Sequence, residues 1–155
     1  MSVFLKTEKV KKEWTDYNGH MNMSYYVLIF DNAAEVMLTK FNIGEESAQS
    51  DKKSTFAVET HTTYDQEVKL GEEVEVHLTY LDYDKKRIHY RVSMFHKEKK
   101  YLAATTEVLS LYIDLNRRKV AEIEPEKMKI IDDFIKANSS KFNSDKLIFS
   151  GKLKK

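Results

Sequence analysis

The sequence predicts an α+β domain in which one long helix near the N-terminus is followed by a run of antiparallel strands. Three observations predict it. From Ser24 to about Asn42, apolar residues recur at Tyr25, Ile29, Ala33, Val36 and Met37 with helical spacing. From Phe56 onward the apolar period changes to two, in stretches separated by polar turns. The chain of 155 residues holds 4 glycines and 1 proline, so its elements are expected to be long.

The elements follow in order. Val3 to Lys12 carries Phe4, Leu5, Thr7 and Val10 and reads as an opening strand. Thr15 to Asn22 is a polar knot containing Asn18-Gly19, and reads as a loop. Asn22 or Ser24 can cap the long helix, and Gly44 is the expected left-handed stop. A charged loop spans Glu45 to Lys53. Phe56, Val58, Thr60, Thr62 and Tyr64 then share one strand face, with Ala57, Glu59, His61 and Thr63 on the other. Lys69-Leu70-Gly71-Glu72 is a turn. Val74 to Tyr80, Ile88 to Met94 and Tyr101 to Asp114 are further strands, the last apolar on both sides in places. Pro125 opens a short helix with a stripe at Met128, Ile131, Phe134 and Ile135. Beyond Asn138 a Lys- and Ser-rich tail is expected to be partly ordered at best.

Composition narrows the function. The chain is 41% hydrophobic and 33% charged, ordinary for a globular domain. Its 26 basic and 25 acidic residues leave a formal net charge of +1, which argues against a dedicated nucleic-acid binder. There is no cysteine, so disulfides and thiolate chemistry are excluded. His61, His77, His89 and His96 lie at no metal-like spacing, and neither a metal nor a cofactor is expected. No apolar run approaches the roughly 18 residues of a membrane span. The opening residues Met1 to Lys6 lack a signal-peptide pattern, and a cytoplasmic location is expected. A sheet of this kind leaves an exposed edge, and pairing with a second copy is expected to cover it.

The chemistry concentrates in Trp14 to Asn22. Asp16 supplies a carboxylate, Asn18-Gly19 a tight turn, and the following helix start supplies free N–H groups and the positive end of its dipole. A carboxylate beside an oxyanion hole is a minimal apparatus for acyl transfer. The same spacing also accommodates Asp16 as a plain turn or cap residue. His20 can orient Asp16 or substrate, or serve the loop structurally. Glu59 can face a pocket or pair with a neighbouring base. Trp14, Tyr17, Tyr25 and Tyr26 can be core aromatics, or can hold a quaternary ammonium by cation–π contact.

The run Trp14-Thr15-Asp16-Tyr17-Asn18-Gly19-His20-Met21-Asn22, with Tyr25-Tyr26, Phe30 and Ala33-Ala34, resembles the 4-hydroxybenzoyl-CoA thioesterase-like branch of the hotdog superfamily. It is most similar there to the betainyl-CoA thioesterase-like group. Glu59-Thr60-His61, Leu70-Gly71-Glu72 and Tyr112-Ile113-Asp114-Leu115 extend the resemblance over about Phe4 to Phe134. It implies a hotdog domain over residues 1–137, with a long central helix wrapped by about five antiparallel strands and a short C-terminal helix, and a tail at 138–155. It implies hydrolysis of an acyl-CoA to acid and CoA, with Asp16 as nucleophile or general base and the Met23 backbone N–H as oxyanion donor. Asn22 and Gly19 would shape the approach, and Trp14, Tyr17, His20, Tyr25, Tyr26 and Glu59 would line the substrate site. Arg87, Arg91, Arg117 and Arg118 are candidates for the CoA phosphates. A homodimer, or a homotetramer built as a dimer of dimers, is implied. A non-catalytic acyl-CoA-binding module and a hotdog hydratase or dehydratase pairing His20 with Glu35 remain as alternatives.

Overall fold

The computed structural model describes residues 2–155. The elements run β1 (Val3–Lys9), α1 (Met23–Lys40), α2 (Glu45–Ser50), β2 (Lys53–Tyr64), β3 (Glu73–Tyr83), β4 (Arg87–His96), β5 (Leu102–Asp114), β6 (Lys119–Val120) and α3 (Pro125–Asn138). Short 3-10 turns occupy Lys12–Trp14 and Ser139–Lys141. One antiparallel sheet holds all six strands in the order β1-β3-β4-β5-β2, with the two-residue β6 beside β5. Strands β1 and β2 are therefore its edges.

The 18-residue α1 lays one face on the sheet. Tyr26, Ile29, Phe30, Ala33, Ala34 and Met37 are buried along that face. They share one core with Val74, Val76 and Leu78 of β3, Val92 and Met94 of β4 and Ala104 of β5. Two alanines in the middle let the helix backbone approach the strands closely. Val27 and Leu28, outside that buried face, are exposed.

The helix does not stop at Gly44. The left-handed residue is Asn42, with φ of 58°. The Ile43 N–H donates to the Leu38 carbonyl and the Asn42 N–H to that of Thr39, both at 3.1 Å, closing the helix in a Schellman motif. Asparagine tolerates this conformation almost as readily as glycine. The charged loop that follows contains the one-and-a-half-turn helix α2.

Strand β2 departs from simple alternation. Its pairing with β5 slips between Ala57 and Glu59, a bulge that inserts Val58. One extra residue reverses the faces, so Ala57 falls in phase with Thr60 and Thr62 instead of opposite them. Most of β2 is exposed on both sides.

Strand β5 is buried on both faces for much of its length. The second cover is the tail past Asn138. The Asn143 N–H donates to the Thr79 carbonyl at 2.9 Å, and the Arg91 guanidinium donates to the carbonyls of Asn143 and Asp145. Phe149 is buried, and the Lys154 N–H reaches Asp84 at 2.7 Å. This strap runs over the outer sheet face.

Candidate active site

The segment Trp14 to Asn22 is a short hairpin. Thr15 bridges Met21, the Asp16 N–H donates to the His20 carbonyl at 3.1 Å, and the Gly19 N–H donates back to the Asp16 carbonyl at 3.0 Å. Three residues, Tyr17, Asn18 and Gly19, turn the chain, with Gly19 at φ of 80°. A three-residue loop ending in a left-handed glycine is a standard hairpin solution, which is why Asn-Gly sits here. The Asp16 carboxylate accepts the Asn18 N–H at 2.8 Å through Oδ1, and Asp16 is partly exposed.

The hairpin is closed onto the start of α1. The Asn22 N–H donates to the Trp14 carbonyl at 2.9 Å, and the Asn22 side chain caps α1 by accepting the Ser24 N–H at 3.0 Å. Met23, the first residue of α1, presents an N–H with no intrahelical acceptor and no side-chain partner among the described residues. The other side of the hairpin is held by the segment before β3. The Met21 N–H donates to Val68 at 2.8 Å, and His20 bridges Lys69. The Tyr26 hydroxyl donates to the Gln66 carbonyl at 3.4 Å and accepts the Val68 N–H at 3.2 Å. Burial, chiefly, raises the Tyr26 pKa above its ordinary value.

The hairpin and the helix start it closes onto hold Asp16, Gly19, His20, Asn22 and Met23, with Tyr26 a turn further along α1, but neither Asp16 nor Gly19 lines the hollow beside them. His20, Met23 and Tyr26 line a hollow of about 220 Å³ with Tyr64, Asp65 and Glu67. The last three come from the end of β2 and the chain after it. The sequence marks Tyr64 only as a strand-face residue and none of the three as a site candidate, because the pairing of Met21 with Val68, which brings them to the hairpin, leaves no periodic trace. Trp14 is buried and stacks on Tyr25 at 5.8 Å, with the Lys11 ammonium 4.9 Å above its ring. That indole face already holds a cation. Tyr17, 97% exposed, points away from the body of the protomer.

Other sequence candidates lie elsewhere. Glu59 sits five residues up β2 from Tyr64, roughly 17 Å along the strand, with Lys152 of the strap at 3.8 Å. Glu35 accepts the Glu45 N–H and the Thr39 hydroxyl, about 18 Å along α1 from its start. Among the described residues it forms no pair with His20. Arg87 is paired with Asp84 at 3.0 Å, and Arg91 is spent on the strap. Arg117 and Arg118 remain exposed in the turn between β5 and β6. Among the described residues no group of three or more His, Asp or Glu gathers as metal ligands.

A second, larger groove of about 390 Å³ runs between α1 and the sheet, lined chiefly by Val27, Leu28, Phe30, Tyr90 and Val108, with Asp31 at its rim. It begins at Ser24, so both hollows start at the first turn of α1.

A helix laid across an antiparallel sheet, with the Asp16 hairpin closed onto its N-terminus, is the arrangement of a hotdog-fold domain. The chain belongs to the thioesterase-like superfamily, whose family model matches residues 10–132. A betainyl-CoA thioesterase of Pseudomonas aeruginosa is 28% identical over 129 residues, 83% of this chain and 81% of that protein. A Rhizobium meliloti L-carnitine dehydrogenase/betainyl-CoA thioesterase is 31% identical over 106 residues. That match takes in 68% of this chain and only 21% of the longer relative. Among solved structures, a hypothetical Staphylococcus aureus protein in complex with CoA superposes with a TM-score of 0.82 at 25% identity, covering 95% of this chain and 90% of that one. A putative thioesterase from Pseudomonas putida gives 0.79 at 25% identity, covering 100% and 97%.

Proposed function

We propose that this protein hydrolyses an acyl-CoA thioester to the free acid and CoA. The observation that carries the reading is the closure of the Asp16 hairpin onto the start of α1, where the Met23 N–H is left without an acceptor. Asp16 acts either as general base on water or as nucleophile. As base it takes a proton from the water that attacks the thioester carbon, the C–S bond breaks, and the proton passes to the departing CoA thiolate. As nucleophile it attacks the thioester carbon and expels the CoA thiolate, forming a mixed anhydride that water then opens to the free acid and the Asp16 carboxylate, with a proton released to the thiolate. In both routes negative charge develops on the carbonyl oxygen, and the Met23 N–H at the positive end of α1 is the donor that meets it. Asn22 holds that donor in place, Gly19 lets the hairpin turn, and His20, Tyr25 and Tyr26 shape the approach with Trp14 behind them. Tyr17 and Glu59 could reach substrate only across a subunit boundary.

The sheet edges support a dimer. β2 is an edge strand with Phe56 and Val58 exposed, and Val27 and Leu28 of α1 are exposed too. A second copy pairing along β2 would cover this apolar surface and continue the sheet. In such a dimer α1 becomes the central helix wrapped by sheet. The strap covers the outer face of the sheet, so a dimer of dimers would have to form elsewhere. A CoA substrate fits a cytoplasmic address, and no helix among the described residues is long and apolar enough to cross a membrane.

The test is CoA release from a panel of acyl-CoAs, betainyl-CoA through long-chain, by wild type and Asp16→Ala. We expect turnover on part of the panel and a loss of about 10²- to 10⁴-fold in the variant. Turnover that survives in Asp16→Ala removes Asp16 from the mechanism. No turnover on any thioester leaves a binding module.

A further inference from the structure

We infer that Ser2, His77 and Glu75 form a second nucleophilic site, apart from the Asp16 hairpin, at which the Ser2 hydroxyl takes up an acyl group from a small activated ester or thioester.

The three side chains are hydrogen-bonded in line. Ser2 Oγ lies 3.0 Å from Nδ1 of His77, and Nε2 of the same ring lies 3.5 Å from Oε2 of Glu75. An ionised carboxylate only accepts, so Nε2 carries the ring proton in the second bond. That tautomer leaves the Nδ1 lone pair to accept the Ser2 hydroxyl proton. A hydroxyl, an imidazole able to take its proton and a carboxylate that orients the ring are the parts of an activated serine.

The sheet holds the imidazole in this orientation. Val74, Val76 and Leu78 of β3 point into the core, so Glu75 and His77 between them project from the outer face. Phe4 on β1 and Phe95 on β4 flank His77 and meet its ring edge to face at 5.5 and 5.7 Å. The His77 side chain is 21% exposed, so the ring is packed in place yet open to a reagent. Lys100 Nζ lies 3.8 Å from the same Glu75 oxygen. Phe4, two residues on from Ser2, is half-exposed and offers an apolar wall to a short acyl chain. The Asp16 hairpin follows the other end of β1, roughly 20 Å along the strand.

Acylation here balances without a cofactor. Ser2 Oγ attacks the acyl carbon, and its proton passes to Nδ1 of His77. The Oγ–C bond forms, the bond to the leaving group breaks, and the phenolate or thiolate departs with the electron pair. His77 then gives its proton to the leaving group or to water. Nothing is oxidised or reduced. β1 is an edge strand, so the oxyanion formed on the way lies beside solvent, where donors are worth less than in a closed site. The ester should therefore form slowly and persist as a covalent mark.

The experiment treats the full chain with two probes, p-nitrophenyl acetate and a fluorophosphonate, and maps the label by peptide mass spectrometry. The fluorophosphonate reports the nucleophile by itself, because Oγ bonds to phosphorus and displaces fluoride. We expect both probes to mark Ser2 in wild type, and to do so equally in Asp16→Ala. Ser2→Ala should lose the label. His77→Phe, which keeps a ring between Phe4 and Phe95, should slow labelling by about 10²-fold. His77→Gln should do the same without the ring, and thermal unfolding checks that each variant folds. Glu75→Gln keeps an acceptor for Nε2–H but removes the charge that favours the imidazolium, and should slow labelling by about tenfold. Failure of either probe to mark Ser2 overturns the inference. So does labelling that requires Asp16, or that runs as fast as wild type in the His77 or Glu75 variants. The label at Ser2 is read whether or not CoA is released from any thioester, so this inference and the thioesterase reading stand or fall separately.

Discussion

His89 on β4 and Glu107 on β5 form a buried pair on the outer face of the sheet, with Nε2 2.7 Å from Oε1. The same carboxylate accepts the N–H groups of Ile148 and Phe149, at 2.7 and 2.8 Å, from the strap. Burial by itself would raise the Glu107 pKa, but the two amides and His89 outweigh it and the net shift is downward. The carboxylate is therefore ionised and can only accept, so Nε2 of His89 carries the proton in this bond.

A pH dependence follows from that shift. A carboxylate whose folded pKa is depressed contributes stability above its unfolded value and loses it as pH falls through the folded one. The ordinary value is 4.5, so the contribution should be whole near neutrality and fade below that pH. Urea unfolding between pH 7 and pH 3 should show a steeper acid limb in wild type than in Glu107→Gln. An identical slope in the two would mean that the strap is not held through this carboxylate.

Phe149 packs at the same point, with its ring edge-on to His89 at 6.1 Å and 64°. Phe149→Ala removes a buried aromatic that anchors the strap and should destabilise the fold by about 2 kcal/mol. Amide exchange at Ile148 and Leu153 should accelerate, while kcat per folded molecule holds, because the strap lies on the face away from the Asp16 hairpin. A fall in kcat without a fall in stability would contradict that separation.

Much of this architecture was legible in the residues. The helix and the strands from β2 to β5 announced themselves through periods of three to four and of two. The hairpin announced itself through Asn18-Gly19. What stayed hidden depends on contacts distant in sequence. Val58 is a bulge residue because of how β2 meets β5, and no alternation pattern marks it. The Lys- and Ser-rich tail is expected from its composition to be partly ordered at best, yet it docks: Asn143, Ile148, Phe149 and Lys154 bond through main-chain N–H groups, and the Phe149 ring is buried. Tyr64, Asp65 and Glu67 reached the hollow only through the pairing of Met21 with Val68.

Lys127 shows the same limit. It sits in α3 among charged residues, but its ammonium is buried and donates to Asp51 at 2.9 Å, Tyr112 at 3.1 Å and Ser47 at 3.2 Å. Tyr112 in turn donates to Glu124 at 2.7 Å, and burial with that carboxylate pushes the Tyr112 pKa far up. The network ties α2 and α3 to β5. Lys127→Met keeps the stem but leaves Ser47, Tyr112 and Asp51 without their shared donor, while Lys53 still pairs with Glu124 at 3.2 Å, at a cost of about 1–3 kcal/mol. Thermal unfolding reads this directly, and a variant as stable as wild type would make Lys127 a bystander.

Asn22 joins stability to chemistry. Its side chain caps α1 by accepting the Ser24 N–H, and its own N–H is tied to Trp14. Asn22→Ala should cost about 1 kcal/mol of stability through the lost cap. It should also loosen the turn that aims the Met23 N–H. A donor that meets charge only in the transition state affects kcat and leaves KM nearly unchanged. We therefore expect kcat to fall by about tenfold in Asn22→Ala at near-constant KM, a share of the larger loss expected when an oxyanion donor is removed outright. Asn22→Ser restores the cap without adding charge and should restore most of the rate. A rise in KM with kcat intact would instead place Asn22 in ground-state binding, and would move the oxyanion donor away from the first turn of α1.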